Sequence, residues 1–325
     1  MKKNILITLA DRKYLNQAKQ LFSSVYFNAG WKGDYMLFAH EIPEKELKCF
    51  RDKGILVKKC RPLTNITKKP WDLVTLDKFY LFTEDMKKWE NILFIDVDII
   101  VRASLENLTK IKGFSAVMDF YQTLREQFLK NGKYKKLKEN LGNEYDLNSP
   151  GFNSGVMAFS SDIIKKQTFS NLKSLAKKYI NFSKHGEQGI LNLYFYKKWK
   201  NLPISFNFNP LCITNPWRNK KPINLGIIWH FPGTKKPWEI HNSYLYNEWN
   251  TNLKKFDSIN LQNPINNLKK YTLEEILKQS ICIKKRILFY SPLLFIDNLV
   301  GRTGIFLKKY FPKFYYFLKN QTLPK

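Results

Sequence analysis

At 325 residues the chain is long enough for one large domain with an appendage, or for two ordinary domains. Its hydrophobic fraction of 44% and aromatic fraction of 15% exclude a disordered protein. The net charge of +28, from 55 Lys and Arg against 27 Asp and Glu, calls for an anionic partner: nucleic acid, anionic lipid or a polyanionic substrate.

The opening run Met1-Lys-Lys-Asn-Ile-Leu-Ile-Thr-Leu-Ala10 has a basic tip and a short apolar stretch, but Asp11-Arg12-Lys13 follows at once, so it reads as a first strand and not as a signal peptide. Strand and helix signals then alternate: strand over Ile5 to Leu9, helix over Tyr14 to Tyr26, strand over Tyr35 to Ala39, helix over Pro43 to Lys53, strand over Ile55 to Lys58. This rhythm predicts a βαβ sheet. A helix is expected from about Asp72 to Phe82, with Leu73, Leu76 and Tyr80 on one stripe and Lys78 off it. Phe114 to Met118 reads as a further strand, and the Lys-rich stretch from Tyr121 to Asn148 as helical or mobile, able to fold over a substrate. Gly151 to Ser160 reads as a turn feeding a strand, Glu187 to Tyr196 as an amphipathic helix, and Ile227 to His230 as a short strand. Cys49, Cys60, Cys212 and Cys282 lack zinc or redox-loop spacing and are expected to be reduced, mostly buried thiols of a cytosolic protein.

The most informative run is Asn91-Ile-Leu-Phe-Ile-Asp-Val-Asp98. Asp96 and Asp98 are two apart, so on an extended chain both carboxylates leave the same face. They end a run, Ile92 to Ile95, that reads as a fully buried strand, and ligands of open α/β sheets collect beyond such strand ends. Two acids there fit one hard divalent cation whose open side takes a ligand with oxygens of its own, such as a nucleotide diphosphate. The same acid-x-acid spacing at Glu44 and Glu46, and at Glu144 and Asp146, falls in helix or loop and reads as solvated charge.

Downstream stand Phe152-Asn-Ser-Gly-Val156, Glu187-Gln-Gly-Ile-Leu-Asn192 and His230-Phe-Pro-Gly-Thr-Lys-Lys-Pro-Trp238. A departing diphosphate needs positive charge where negative charge builds up. Asp96 and Asp98 with the His230 imidazole make a mixed oxygen and nitrogen set that suits Mn²⁺ or Mg²⁺, and Lys236 can reach the same phosphates as a point charge. Gly233 permits the turn that brings His230 and Lys236 together.

In order and spacing these four segments resemble glycosyltransferases of family 8, which include glycogenin and bacterial lipooligosaccharide galactosyltransferases, over roughly residues 1 to 240. The resemblance implies a GT-A fold: a Rossmann-like mixed central sheet flanked by helices. It implies a UDP-sugar donor, with Asn153 and Gln188 beside the transferred sugar and retention through a front-face displacement near Gln188. Glu187 stands where the family usually has Asp, which shifts the acid by about a bond length and bears on donor choice. The segment Thr8 to Tyr14 resembles the nucleotide-base loop, assigning Asp11 to the uracil edge and Tyr14 to stacking. Lys78 resembles a basic donor contact, and Asp119 is a candidate for a sugar hydroxyl.

Residues 1–240 are therefore expected to form the catalytic domain and 241–325 a helical extension. From Ile281 onward nine basic residues face one acid, Asp297, and are interleaved with Phe and Tyr, a composition suited to an anionic membrane surface. With no long apolar span, the expected location is cytoplasmic, peripheral on the inner face of the membrane, and the expected acceptor a saccharide, lipid-linked in bacterial lipopolysaccharide, lipooligosaccharide or capsule synthesis. The alternatives are a basic nucleic-acid-binding protein, against which stands the lack of any zinc-finger, RNA-binding or helix-turn-helix pattern, and a relative using another nucleotide sugar.

Overall fold

In the computed structural model of the protein, which describes residues 2–63, 70–128, 139, 141, 144–213, 223–233, 235–266 and 268–289, the apolar runs become strands buried on both faces. Along β1 (Lys2–Ala10) Leu6 and Ala10 face one core while Ile5, Ile7 and Leu9 face another; along β4 (Trp89–Ile95) Leu93 and Ile95 alternate with Ile92 and Phe94 in the same way. The period of two thus builds two cores, one on each side of the sheet.

Between these strands lie α1 (Leu15–Ser24), β2 (Asp34–His40), α2 (Glu44–Arg51), β3 (Leu56–Cys60) and α3 (Pro70–Thr75). After β4 come β5 (Ile99–Val101), β6 (Phe114–Thr123), β7 (Pro150–Ser160), α4 (Thr168–Tyr179), α5 (Glu187–Tyr194), β8 (Trp199–Asn201), β9 (Ile228–His230), α6 (Tyr244–Lys254) and α7 (273–289). The main sheet has the order β3-β2-β1-β4-β7-β6-β8, and among its described strands β7 alone runs antiparallel to its neighbours. That reversal puts the start of β7 beside the carboxyl ends of β1, β4 and β6, on the edge where ligands collect. β5 and β9 form a separate antiparallel ribbon.

The expected helix over Asp72–Phe82 is corrected. The α-helix stops at Thr75 and a 3₁₀ helix runs over Leu76–Phe82. Leu76, Phe79 and Phe82, spaced by three and all fully buried, match the three-residue turn of that tighter helix. Lys78, placed off the apolar stripe, is buried as well. The helix expected over Tyr14–Tyr26 is α1 preceded by a 3₁₀ turn at Arg12–Tyr14 and followed by a π-type turn at Val25–Ala29. β6 runs on to Thr123 through register shifts after Ala116 and Met118 and leads into a 3₁₀ turn, Leu124–Gln127; most of the Lys-rich stretch beyond lies outside the described residues. Helix α4 had no counterpart in the sequence, whereas α6 lies in the stretch expected to be helical. All four cysteines are free thiols, but only Cys60 is buried.

The core continues past residue 240. Leu245, Trp249, Phe256 and Ile259 enter the core that contains α1, and Arg102 pairs with Glu248 at 2.7 Å while its guanidinium stacks 3.7 Å from the Trp229 ring centre. α7 opens on a capping box, Thr272 with Glu275, and buries Ile276, Ser280, Ile283 and Ile287 along one face. Residues 290–325, which carry most of the expected membrane segment, lie outside the described residues.

Candidate metal and donor site

Two strand ends bring the acids and the imidazole together. Asp96 follows β4, its N–H donating to the Gly155 carbonyl at 2.9 Å. Asp98 precedes β5, whose pairing with β9 puts Ile99 opposite His230; the Phe231 N–H donates to the Asp98 carbonyl at 3.1 Å. The ribbon therefore carries His230 to the carboxylates over a long stretch of chain. One ligand atom from each of Asp96, Asp98 and His230 lies within 4.8 Å of the others, and His230 Nε2 is 3.3 Å from Asp98 Oδ1. A carboxylate pair with one imidazole is a donor set for a borderline divalent ion such as Mn²⁺, so the residues fit the expected cation.

Two lysines frame this set. Lys236 donates to Asp98 and, at 2.7 Å, to the Phe231 carbonyl, after a turn in which Gly233 takes φ +90° with open space around it. Lys78 lies 2.9 Å from Asp96 Oδ1 and 2.7 Å from Glu187 Oε1. Burial would push the Lys78 ammonium down, but Asp96 and Glu187 outweigh it and hold its pKa up. Burial also raises the Asp96 carboxyl, opposed by Lys78. At Asp98 burial acts upward too, yet His230 and Lys236 together hold it far below the ordinary carboxylate range. The two acids are therefore unequal: one is set by burial, the other by its neighbours His230 and Lys236.

Glu187 and Gln188 start α5 and are both buried. Ser154 Oγ donates to Glu187 Oε1 at 2.9 Å, and its N–H donates to Gln188 Oε1 at 3.0 Å. The Gln188 amide nitrogen donates to Gln127 Oε1 at 2.7 Å and lies 3.4 Å from Asp119 Oδ2. Because a backbone N–H claims its oxygen, Gln188 turns its NH₂ toward Gln127 and Asp119. Burial raises the Asp119 carboxyl. Asn153 accepts from the Gly155 N–H at 2.9 Å and from Asn207 at 2.8 Å.

The two residues expected at the nucleotide base stand apart from this cluster. Asp11, just past β1, uses one oxygen to accept from the Lys13 and Tyr14 N–H groups at 2.9 and 3.1 Å. Tyr14 is exposed and meets Trp238 edge-on, their ring centres 6.3 Å apart. That contact joins the loop after β1 to the loop bearing Lys236.

Sequence reasoning missed four residues. Ser154, Gln127 and Asn207 tie the named side chains together. Asn192 accepts from the Phe152 N–H and donates to its carbonyl, at 2.8 and 2.9 Å, so its amide replaces a strand neighbour for β7. Ser154 and Asn192 lay inside quoted motifs, so their signal was present; Gln127 and Asn207 had none.

A mixed sheet with a reversed strand beside a carboxylate pair at a strand end is the architecture of the GT-A glycosyltransferases. In solved structures it is similar to the galactosyltransferase LgtC in complex with donor and acceptor sugar analogs (TM-score 0.57, 16% identity, covering 83% of this chain and 98% of that one). It is also similar to the bifunctional WbbM (TM-score 0.54, 15% identity, 80% and 52%). The chain belongs to glycosyl transferase family 8, whose model matches residues 5–242. Curated relatives include glycosyltransferase GlyB of Streptococcus pneumoniae serotype 4, 28% identical over 200 residues, 58% of this chain and 44% of that one. Galactinol synthase 4 of Arabidopsis thaliana is 22% identical over 213 residues, 61% and 62% of the two chains. The chain thus spans less than two thirds of the length of these relatives.

Proposed function

We propose that the protein is a metal-dependent retaining glycosyltransferase that moves a hexose, galactose or glucose, from a UDP-sugar to a saccharide acceptor. The observation that carries this reading is the convergence of Asp96, Asp98 and His230 within 4.8 Å, with Lys236 and Lys78 on either side. A divalent ion held by Asp96, Asp98 and His230 would neutralise the charge that develops on the departing diphosphate. Lys236 adds a point charge once it exchanges Asp98 for phosphate oxygens, and Gly233 gives its loop the freedom to do so. Asp11 and Tyr14 take the uracil ring, with Trp238 at the edge of the stack. Gln188, Asp119 and Glu187 surround the sugar position, and the Gln188 amide, whose oxygen is held by Ser154, serves the sugar as a donor and not as an attacking base. A cavity of about 180 Å³ beside His230, lined by Met118, Asp119, Asn209 and Ile287, is the place for the acceptor.

The reading extends to a lipid-borne acceptor of the kind used in bacterial lipopolysaccharide or capsule synthesis, met at an anionic membrane surface. Supporting it, α7 exposes Leu273, Leu277, Ile281 and Leu288, each more than half exposed, in a helix that carries Lys278, Lys284, Lys285 and Arg286. Among the described residues no helix is long and apolar enough to cross a membrane.

The test is a thermal-shift panel followed by a screen of sugar nucleotides for hydrolysis. UDP with Mn²⁺ is expected to stabilise the protein, EDTA to erase the gain, and His230→Ala to lose it. Stabilisation by UDP that ignores both EDTA and His230→Ala would remove the metal assignment. For the membrane arm, Leu277→Asp with Ile281→Asp is expected to release the protein from phosphatidylglycerol vesicles; undiminished sedimentation with them would reject that face.

A further inference from the structure

Asn207 sits between Phe206 and Phe208, both buried, in a segment registered against β9: the Phe208 N–H donates to the Ile228 carbonyl at 3.0 Å and the His230 N–H to the Phe208 carbonyl at 2.9 Å. This places its amide between two side chains of the site. Its Oδ1 is 2.7 Å from His230 Nδ1, and its Nδ2 is 2.8 Å from Asn153 Oδ1.

Amide and imidazole orientations are usually a matter of choice, but here one end of the chain of bonds is a backbone N–H, which can only donate. Gly155 N–H donates to Asn153 at 2.9 Å, so that atom of Asn153 must be its oxygen. Asn207 must then offer its NH₂ to Asn153, and its own oxygen is left facing His230. Only a protonated Nδ1 can satisfy that oxygen, so Nε2, 3.3 Å from Asp98 Oδ1, is the ring nitrogen left to face Asp98 or a cation. A Cβ at Gly155 would lie 2.4 Å from His230 Cε1, so the residue that starts the relay also has to be glycine for the ring to lie there.

We propose that Asn207 is a positioning residue: relaying the direction of the Gly155 N–H through Asn153, it holds His230 in the tautomer whose Nε2 is presented to a divalent cation. The statement about the cation rests on the metal site proposed above; the statement about the tautomer does not. The same relay joins the ligand imidazole to Asn153, so cation side and sugar side share one hydrogen-bonded unit.

The experiment is long-range ¹H–¹⁵N NMR of the imidazoles in the metal-free protein, with His230→Asn to assign the signal. Wild type is expected to show His230 protonated at Nδ1. A ring bare at Nδ1 overturns the proposal whether or not any variant folds. Mn²⁺ binding with UDP, read by electron paramagnetic resonance, is then compared in wild type, Asn207→Leu and Asn207→Asp. Asn207→Leu removes the acceptor and is expected to weaken Mn²⁺ binding about 10- to 100-fold with loss of the tautomer signature. Asn207→Asp keeps an acceptor for Nδ1–H and is expected to hold the tautomer and most of the affinity. Equal affinity in wild type and Asn207→Leu would refute the positioning role. Absence of Mn²⁺ binding by wild type itself, with the Nδ1–H tautomer present, would sink the metal reading and leave the relay standing.

Discussion

Lys78 offers the sharpest quantitative test of how the site is held together, because the residue is only 4% exposed and its ammonium bridges two carboxylates at 2.9 and 2.7 Å. Lys78→Met keeps most of the stem and deletes the charge, whose nitrogen lies 5.1 Å from the Phe94 ring centre. Breaking a buried ion pair by removing one partner costs about 3–5 kcal/mol, since the remaining charge stays buried without compensation. The Asp96 side chain is 25% exposed and can recover some hydration, whereas Glu187 at 3% cannot, which favours the lower end, about 3 kcal/mol. That is a change of roughly a hundredfold in the folded-to-unfolded ratio. Urea denaturation of wild type, Lys78→Met, Glu187→Gln and the double variant would isolate the pair. A coupling of about 1.5 kcal/mol or more is expected, with the double variant more stable than the sum of the single losses implies. Coupling below about 0.5 kcal/mol would mean that the two charges are solvated in solution, and the electrostatic account of Lys78 would fall.

The buried His40–Asp77 pair, 2.7 Å apart at the end of β2, predicts a pH dependence of stability. The hydrogen bond to Asp77 raises His40 above 6.5, so its contribution is complete below about that pH and is lost as pH rises through the folded value. Melting temperatures measured across this range should fall in wild type relative to His40→Gln; parallel curves would show that the pair does not titrate on folding. Asn192→Ala leaves a buried backbone N–H and carbonyl of Phe152 unpaired and should cost about 2–3 kcal/mol in denaturant titrations, whereas a loss within about 0.5 kcal/mol would place water there.

The sequence by itself determined the strands, because alternation in a run such as Ile92-Leu-Phe-Ile95 requires both faces to be buried whatever the partners are. It also determined which ligand types were available: two acids at one strand end, and a His six residues from a Lys in a Gly-containing loop. Tertiary structure alone decided what those groups touch. Lys78 read as a residue off an apolar stripe because helical periodicity assumes 3.6 residues per turn, and the 3₁₀ winding that buries it becomes visible only once Leu76, Phe79 and Phe82 have a core to enter. Asn207 carried no signal, since an amide's role depends on which donor or acceptor lies within about 3 Å, and both its partners come from remote stretches of chain. Local patterns record what a residue needs from its own segment; hydrogen bonds between segments depend on how the reversed strand and the β5–β9 ribbon fold back on the sheet, and no spacing along the chain encodes that.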